Sequence, residues 1–98
     1  MKINYSVLQL RHPTMYMFMS YDYAKEHNFS LDDYKEVYSN SIDSHNDPLE
    51  ETLEGIFVLF NIDRPQDFKG HSMSVSDIIK LEDGRLFYVN SVGFEEIR

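Results

Sequence analysis

Residues 60–77 read FNIDRPQDFKGHSMSVSD. The run follows an apolar helical pattern and precedes two β-type segments, so its reading decides how helix and sheet are joined. Asp63, Pro65, Asp67, Gly70, His71, Ser72, Ser74, Ser76 and Asp77 fall within it. These residue types make turns and bond to nearby backbone. The run therefore reads as a specified connection between a helix and a sheet.

Upstream, Leu49, Leu53, Ile56, Phe57 and Phe60 recur at spacings of 4, 3, 1 and 3, one stripe of a helix. Asp47-Pro48 sets a capping residue before a Pro at the first helical position. Glu50, Glu51 and Glu54 lie off the stripe near the N-terminal end, where the helix dipole favours acids. Downstream, 77–82 (DIIKLE) and 85–91 (RLFYVNS) read as strands joined by Asp83-Gly84. Asp-Gly between apolar runs signals a type I′ hairpin, which needs positive φ at both central residues. Gly93 ends or bends the second strand, and Phe94 to Ile97 read as a short last one.

On the N-terminal side, 3–10 (INYSVLQL) alternates as a pleated strand does. Arg11 to Thr14 is a turn signal. Met15, Met17 and Met19 alternate with Tyr16 and Phe18, which reads most simply as a buried strand. The other reading is an adaptable apolar contact for a partner. Ser20 caps a short helix over 20–27, with Asp22 in its first turn and Asn28 as its stop. Residues 34–39 (YKEVYS) read as a strand with Tyr34, Glu36 and Tyr38 on one face, and 40–47 (NSIDSHND) as a loop. The expected fold is α+β: one domain over 1–98, a small antiparallel sheet of four to five strands, one long helix and one short one.

The chain has 98 residues, 42% of them hydrophobic, with seven Tyr and seven Phe. That composition supports a core and argues against disorder. There is no cysteine, hence no disulfide framework and no thiolate ligand or nucleophile. A reducing cytoplasm is the expected compartment. The first twelve residues are too polar for a signal peptide, and no stretch suits a membrane span.

The net charge is −8 with only nine Lys plus Arg, a poor basis for holding phosphates, so direct nucleic-acid binding is not expected. The charge is uneven. From Glu36 to Asp63 there are seven acids (Glu36, Asp43, Asp47, Glu50, Glu51, Glu54, Asp63) and no Lys or Arg. This is either a solvated face that keeps the protein soluble or a surface for a basic partner.

The segment FNIDRPQDFKGHSMSVSDII resembles the YodL-like domain, a small family of Gram-positive bacteria and their conjugative elements. The family pattern there is similar to FNID-x-P-x-DF-[RK]-GHS-[LM]-S-[VI]-SD-[VI]-[VI]. The likeness continues through Tyr88-Val89-Asn90-Ser91 and Gly93-Phe94, similar to a YVDSFGF ending, and more weakly through Tyr34 to Tyr38 and Phe18 to Tyr23. Asn90 stands where the family usually has Asp, and Val92 where it has Phe. The resemblance implies no particular activity or cofactor. The family's occurrence in mobile elements implies, by analogy, a role in element transfer or in disarming host defences.

His71 with Ser72, Ser74, Ser76, Asp63, Asp67 and Asp77 supplies the residue types of a Ser-His-Asp site. No Gly-x-Ser-x-Gly elbow accompanies them. The structural reading is more specific. Asp63 and Asp67 cap turns, Gly70 supplies positive φ, and His71 holds a backbone carbonyl. Ser72, Ser74 and Ser76 line one face of an extended segment opposite Met73 and Val75, and Asp77 accepts backbone N–H bonds at the strand entry. His12, His27, His45 and His71 form no i, i+4 pair, and Asp43, His45 and Asp47 lack the calcium-loop pattern, so no metal is expected. No glycine-rich phosphate loop is present.

The expected function is therefore non-enzymatic: an acidic protein-interaction protein that binds a basic partner through Asp43, Asp47, Glu50, Glu51 and Glu54. In its most concrete form it is an anti-CRISPR-like inhibitor of a host nucleic-acid-binding defence enzyme. The alternatives are a structural or regulatory module that binds through the 63–77 connection, and a small hydrolase. No cofactor is expected. Open sheet edges allow a monomer or a homodimer.

Overall fold

The computed structural model describes residues 2–43, 49–62, 73–90 and 93–97. In chain order the elements are β1 (Lys2–Leu10), α1 (Tyr21–Glu26), a 3₁₀ turn (Leu31–Asp33), β2 (Tyr34–Asp43), α2 (Leu49–Ile62), β3 (Ile78–Leu81), β4 (Leu86–Val89) and β5 (Phe94–Ile97). The strands form one five-stranded sheet in the order β2-β1-β3-β4-β5. Every neighbouring pair is antiparallel. The architecture is α+β, with one long and one short α-helix.

Alternation along the strands gives the sheet two apolar faces, and each carries its own cluster. On one face Tyr5, Val7, Ile79, Leu81, Phe87 and Val89 pack with Leu53 and Ile56 of α2 and with Met73. Leu53 and Ile56 are essentially inaccessible, as the stripe requires. On the other face Leu10, Ile78, Tyr88 and Tyr34 pack with Tyr16, Tyr21 and Ala24. Here α1 and the turns before it are the cover. Phe29 meets the rings of Tyr16, Tyr21, Tyr34 and Tyr88 at centroid distances of 5.4–5.9 Å, edge-on in each case. That is the favoured aromatic geometry.

α1 is short and held by local chemistry. The Ser20 hydroxyl accepts from the Tyr23 N–H at 3.3 Å, and Asn28 leaves the helix with φ +63°, as its sequence predicts. The Tyr21 N–H, a first-turn donor with no partner inside the helix, donates to Asn90 Oδ1 at 2.8 Å. The Asn90 amide in turn donates to Glu95 Oε1 at 3.3 Å. An Asp at this position keeps the acceptor but loses the donor and faces Glu95 with like charge. The family departure at Asn90 thus suits its surroundings.

Four expectations for the strands and the β3–β4 turn are corrected. First, Met15 to Met19 is no buried strand. The segment is a series of turns in which Tyr16 is buried and Met15, Phe18 and Met19 are 72%, 58% and 40% exposed. Its alternation imitates a strand, but among the described residues no strand pairs with it. Second, β2 does not stop at Ser39. Asn40 to Asp43 continue it because Lys2 to Tyr5 offer a complete ladder opposite. Third, Tyr34 and Tyr38 lie on opposite faces. Pairing shifts between Val7↔Tyr38 and Leu8↔Glu36, leaving Val37 as the extra residue of a bulge. One extra residue reverses side-chain direction beyond it. Fourth, the β3–β4 turn is not type I′. Only Gly84 has positive φ, at +93°. Its N–H donates to the Leu81 carbonyl, and the Leu81 N–H to the Arg85 carbonyl, both at 2.9 Å. This is a three-residue loop over 82–84 with glycine at the left-handed position. The Asp83 carboxylate accepts from the Arg85 backbone N–H and from its guanidinium, which hold its pKa below the usual range.

Candidate functional site

The acidic residues are placed as follows. Glu51 and Glu54 are exposed on α2. With Val58, 41% exposed, and exposed Asn61, they recur at spacings of 3, 4 and 3. They form an outward line on the side of the helix away from Leu53 and Ile56. α2 contains no Lys or Arg. Asp43 is exposed at the end of β2, with Lys2 directly across the ladder. A cation thus stands across the ladder from this carboxylate. Glu50 belongs to α2, but its side chain lies outside the described residues, as does Asp47.

Of the connection, Asp63, Asp67, Gly70, His71 and Ser72 lie outside the described residues. Its last part is described, and it serves the fold. Asp77 is 2% exposed. Its Oδ2 accepts from Ser74 N–H at 3.0 Å and from Gln9 Nε2 at 3.1 Å. The expected backbone capping at the strand entry is present, and a buried glutamine from β1 joins it. Ser74 and Ser76 do not continue an extended face, because Ser76 turns with φ +86°. Its hydroxyl accepts from Phe18 N–H at 3.0 Å, and its carbonyl accepts from the Tyr34 hydroxyl at 2.5 Å.

The tyrosines act in the same network. Tyr16 OH donates to Asp33 Oδ2 at 2.8 Å, and Tyr88 OH to the Met19 carbonyl at 2.7 Å. Burial, with a smaller contribution from the Asp33 hydrogen bond, pushes Tyr16 up to about 12. Burial likewise pushes Tyr5 up to about 12, Tyr38 adding to it. Tyr34 and Tyr88 are raised further, again by burial first and by neighbouring phenols and Asp77 second. All four phenols stay neutral at physiological pH. The hydroxyls of Tyr16, Tyr34 and Tyr88 bind the turns to the sheet.

Besides a hollow of about 390 Å³ between α1 and β5, two more accompany these elements. An open shelf of about 360 Å³ lies where α1 does not cover the sheet, lined by polar residues including Asn4, Ser6, Ser39, Ser41 and Lys80. A smaller notch lies between α2 and the β4–β5 hairpin, lined by Glu54, Phe57, Val89, Asn90, Gly93 and Phe94. The sequence hinted at neither, because each joins residues that only strand pairing brings together. Among the described residues no three His, Asp or Glu side chains gather as a metal site. His27 stacks on Tyr23 at 3.9 Å and its Nδ1 is 2.8 Å from the Tyr23 carbonyl. No helix among the described residues is long and apolar enough to cross a membrane.

The chain belongs to the YodL-like domain family, whose model matches residues 4–98. No curated protein and no solved structure matches it.

Proposed function

We propose that this YodL-like domain is a non-enzymatic protein-interaction module that meets a basic partner across the outer face of α2. The observation that carries this reading is the exposed line Glu51-Glu54-Val58-Asn61 on a helix without Lys or Arg. Carboxylates supply long-range attraction and selectivity against acidic partners. Val58 supplies apolar area at the same surface. Asp43, Asp47 and Glu50 extend the acidic surface in this proposal. Its most specific form is an inhibitor, carried by a mobile element, of a host nucleic-acid-binding defence enzyme of the CRISPR nuclease kind. Carboxylates there stand where phosphates bind. The net charge of −8 favours that form.

The test is the charge reversal Glu51→Lys with Glu54→Lys, measured against a partner recovered from the host. Both side chains are exposed, so the melting temperature stays near that of the parent. Affinity falls at least about tenfold, ~1.4 kcal/mol, and the salt dependence flattens. Equal affinity for parent and variant removes the acidic-face reading.

A further inference from the structure

The notch between α2 and the β4–β5 hairpin has a volume of about 100 Å³. Its floor is apolar. Val89 is 2% exposed, and the Phe57 and Phe94 rings meet edge-to-face with centroids 6.3 Å apart. Its rim is polar but unequal. The Asn90 side chain is committed to Tyr21 and Glu95, and its backbone N–H donates to the Gly93 carbonyl at 3.1 Å. Glu54 is exposed and has no ion-pair partner among the described residues. The notch thus joins an aromatic and aliphatic floor to one uncommitted carboxylate.

We infer that the notch takes one basic side chain of the partner, its methylene stem on Phe57, Phe94 and Val89 and its cation at Glu54. This rests on the reading of α2 as the partner-facing surface and names the anchor within it. The size suits one side-chain end, since a single water needs only ~10–15 Å³ by the same kind of measure. Lys and Arg lay an apolar stem along apolar surface while the charged head stays at the rim. A cation beside the Phe rings gains further attraction. An apolar side chain strips water from Glu54 without pairing it, and an acidic one is repelled. The carboxylate therefore decides the occupant's chemistry.

The experiment titrates three small probes into ¹⁵N-labelled full-length chain: n-butylammonium, n-butanol and methylammonium. The amides of Val89, Asn90, Gly93 and Phe94 report. Saturable shifts with n-butylammonium alone are expected. Glu54→Gln weakens them at least threefold, and Glu26→Gln, at an exposed residue of α1 outside the notch and the acidic face, leaves them unchanged. Equal shifts from n-butanol mark a plain apolar hollow and overturn the inference. So do absent n-butylammonium shifts, or a Glu54→Gln chain that responds as the parent does. If those probes fail while Glu51→Lys alone still weakens the partner, the notch is wrong and the acidic face stands. If partner binding survives the double reversal, both are wrong.

Discussion

The backbone N–H of Phe18 donates to the Ser76 hydroxyl at 3.0 Å, and both residues hold left-handed backbone, with φ of +67° and +86°. Side chains with a Cβ rarely adopt this region, at a cost of ~1–3 kcal/mol each. One hydrogen bond thus fastens two unfavourable conformations together. Ser76 is held in turn by Val89 through its N–H and by Tyr34 through its carbonyl.

Removing the hydroxyl separates strain from support. Ser76→Ala keeps the φ but orphans the Phe18 N–H, and loses about 1–2 kcal/mol. Phe18→Gly releases strain at a residue whose side chain is 58% exposed, so it leaves stability unchanged or raises it by up to ~1 kcal/mol. Urea denaturation of the two variants checks this. A Ser76→Ala chain as stable as the parent contradicts the fastening role.

Asp77 and Gln9 are 68 residues apart in sequence and joined at 3.1 Å inside the fold. Asp77→Ala leaves the buried Gln9 amide without this acceptor and the Ser74 N–H without its cap. A loss of about 2–4 kcal/mol follows, since bonds to charged groups are the strong ones. Gln9→Ala alone costs less. The double variant costs less than the sum, with a coupling of ~1 kcal/mol or more in a double-mutant cycle. Strict additivity denies the pairing.

Alkali probes the tyrosines. Tyr5, Tyr16, Tyr34 and Tyr88 are all raised above their ordinary value of 10. A phenol whose folded pKa is raised stabilises the fold fully below its unfolded value, and that stability is lost as pH rises toward the folded one. The unfolded chain releases these protons first, so the slope of stability with pH is negative above about 10. The urea midpoint is flat with respect to these groups at neutral pH and falls between pH 10 and 12. Ultraviolet titration shows part of the seven tyrosines ionising only with unfolding. Ionisation of all seven near pH 10 in folded protein contradicts the burial.

Gly84 isolates backbone strain from crowding. A Cβ there meets nothing within 4 Å, yet φ is +93°. Gly84→Ala therefore costs only the conformational penalty, ~1–2 kcal/mol. Gly84→Asn, which tolerates this region better, costs less than Ala. Thermal melts rank the three chains, and equal stability of Ala and Gly removes the turn assignment.

Elements written in local sequence were legible. The Leu53-Ile56 stripe marks the buried side of α2, Ser20 and Asn28 mark the ends of α1, and β1, β3, β4 and β5 lie within a residue or two of their expected bounds. Asp77 was legible as an acceptor of backbone N–H, because it stands at the entry of a strand behind a turn-forming run. Its second partner, Gln9, was not, since nothing near Gln9 distinguishes it from a solvent-facing glutamine. The DG turn was legible as a turn but not as to type. Asp83 tolerates either sign of φ, and the loop length follows from which residues of β3 and β4 pair.

Periodicity, caps and turn formers act over a few residues, so the chain alone determined its helices, most of its strands and its α+β class. Its charge distribution likewise placed carboxylates on α2. Long-range pairing decided the rest. The ladder with β1 extended β2 to Asp43 and turned Tyr38 to the opposite face through the Val37 bulge. Ser76 held Phe18 in a conformation its own residue type disfavours, so a sequence that alternates like a strand became exposed turns. The β4–β5 hairpin, lying beside α2, set Phe94 and Val89 under Glu54. Each of these depends on contacts between residues far apart in sequence, whose energies enter only when the sheet is assembled.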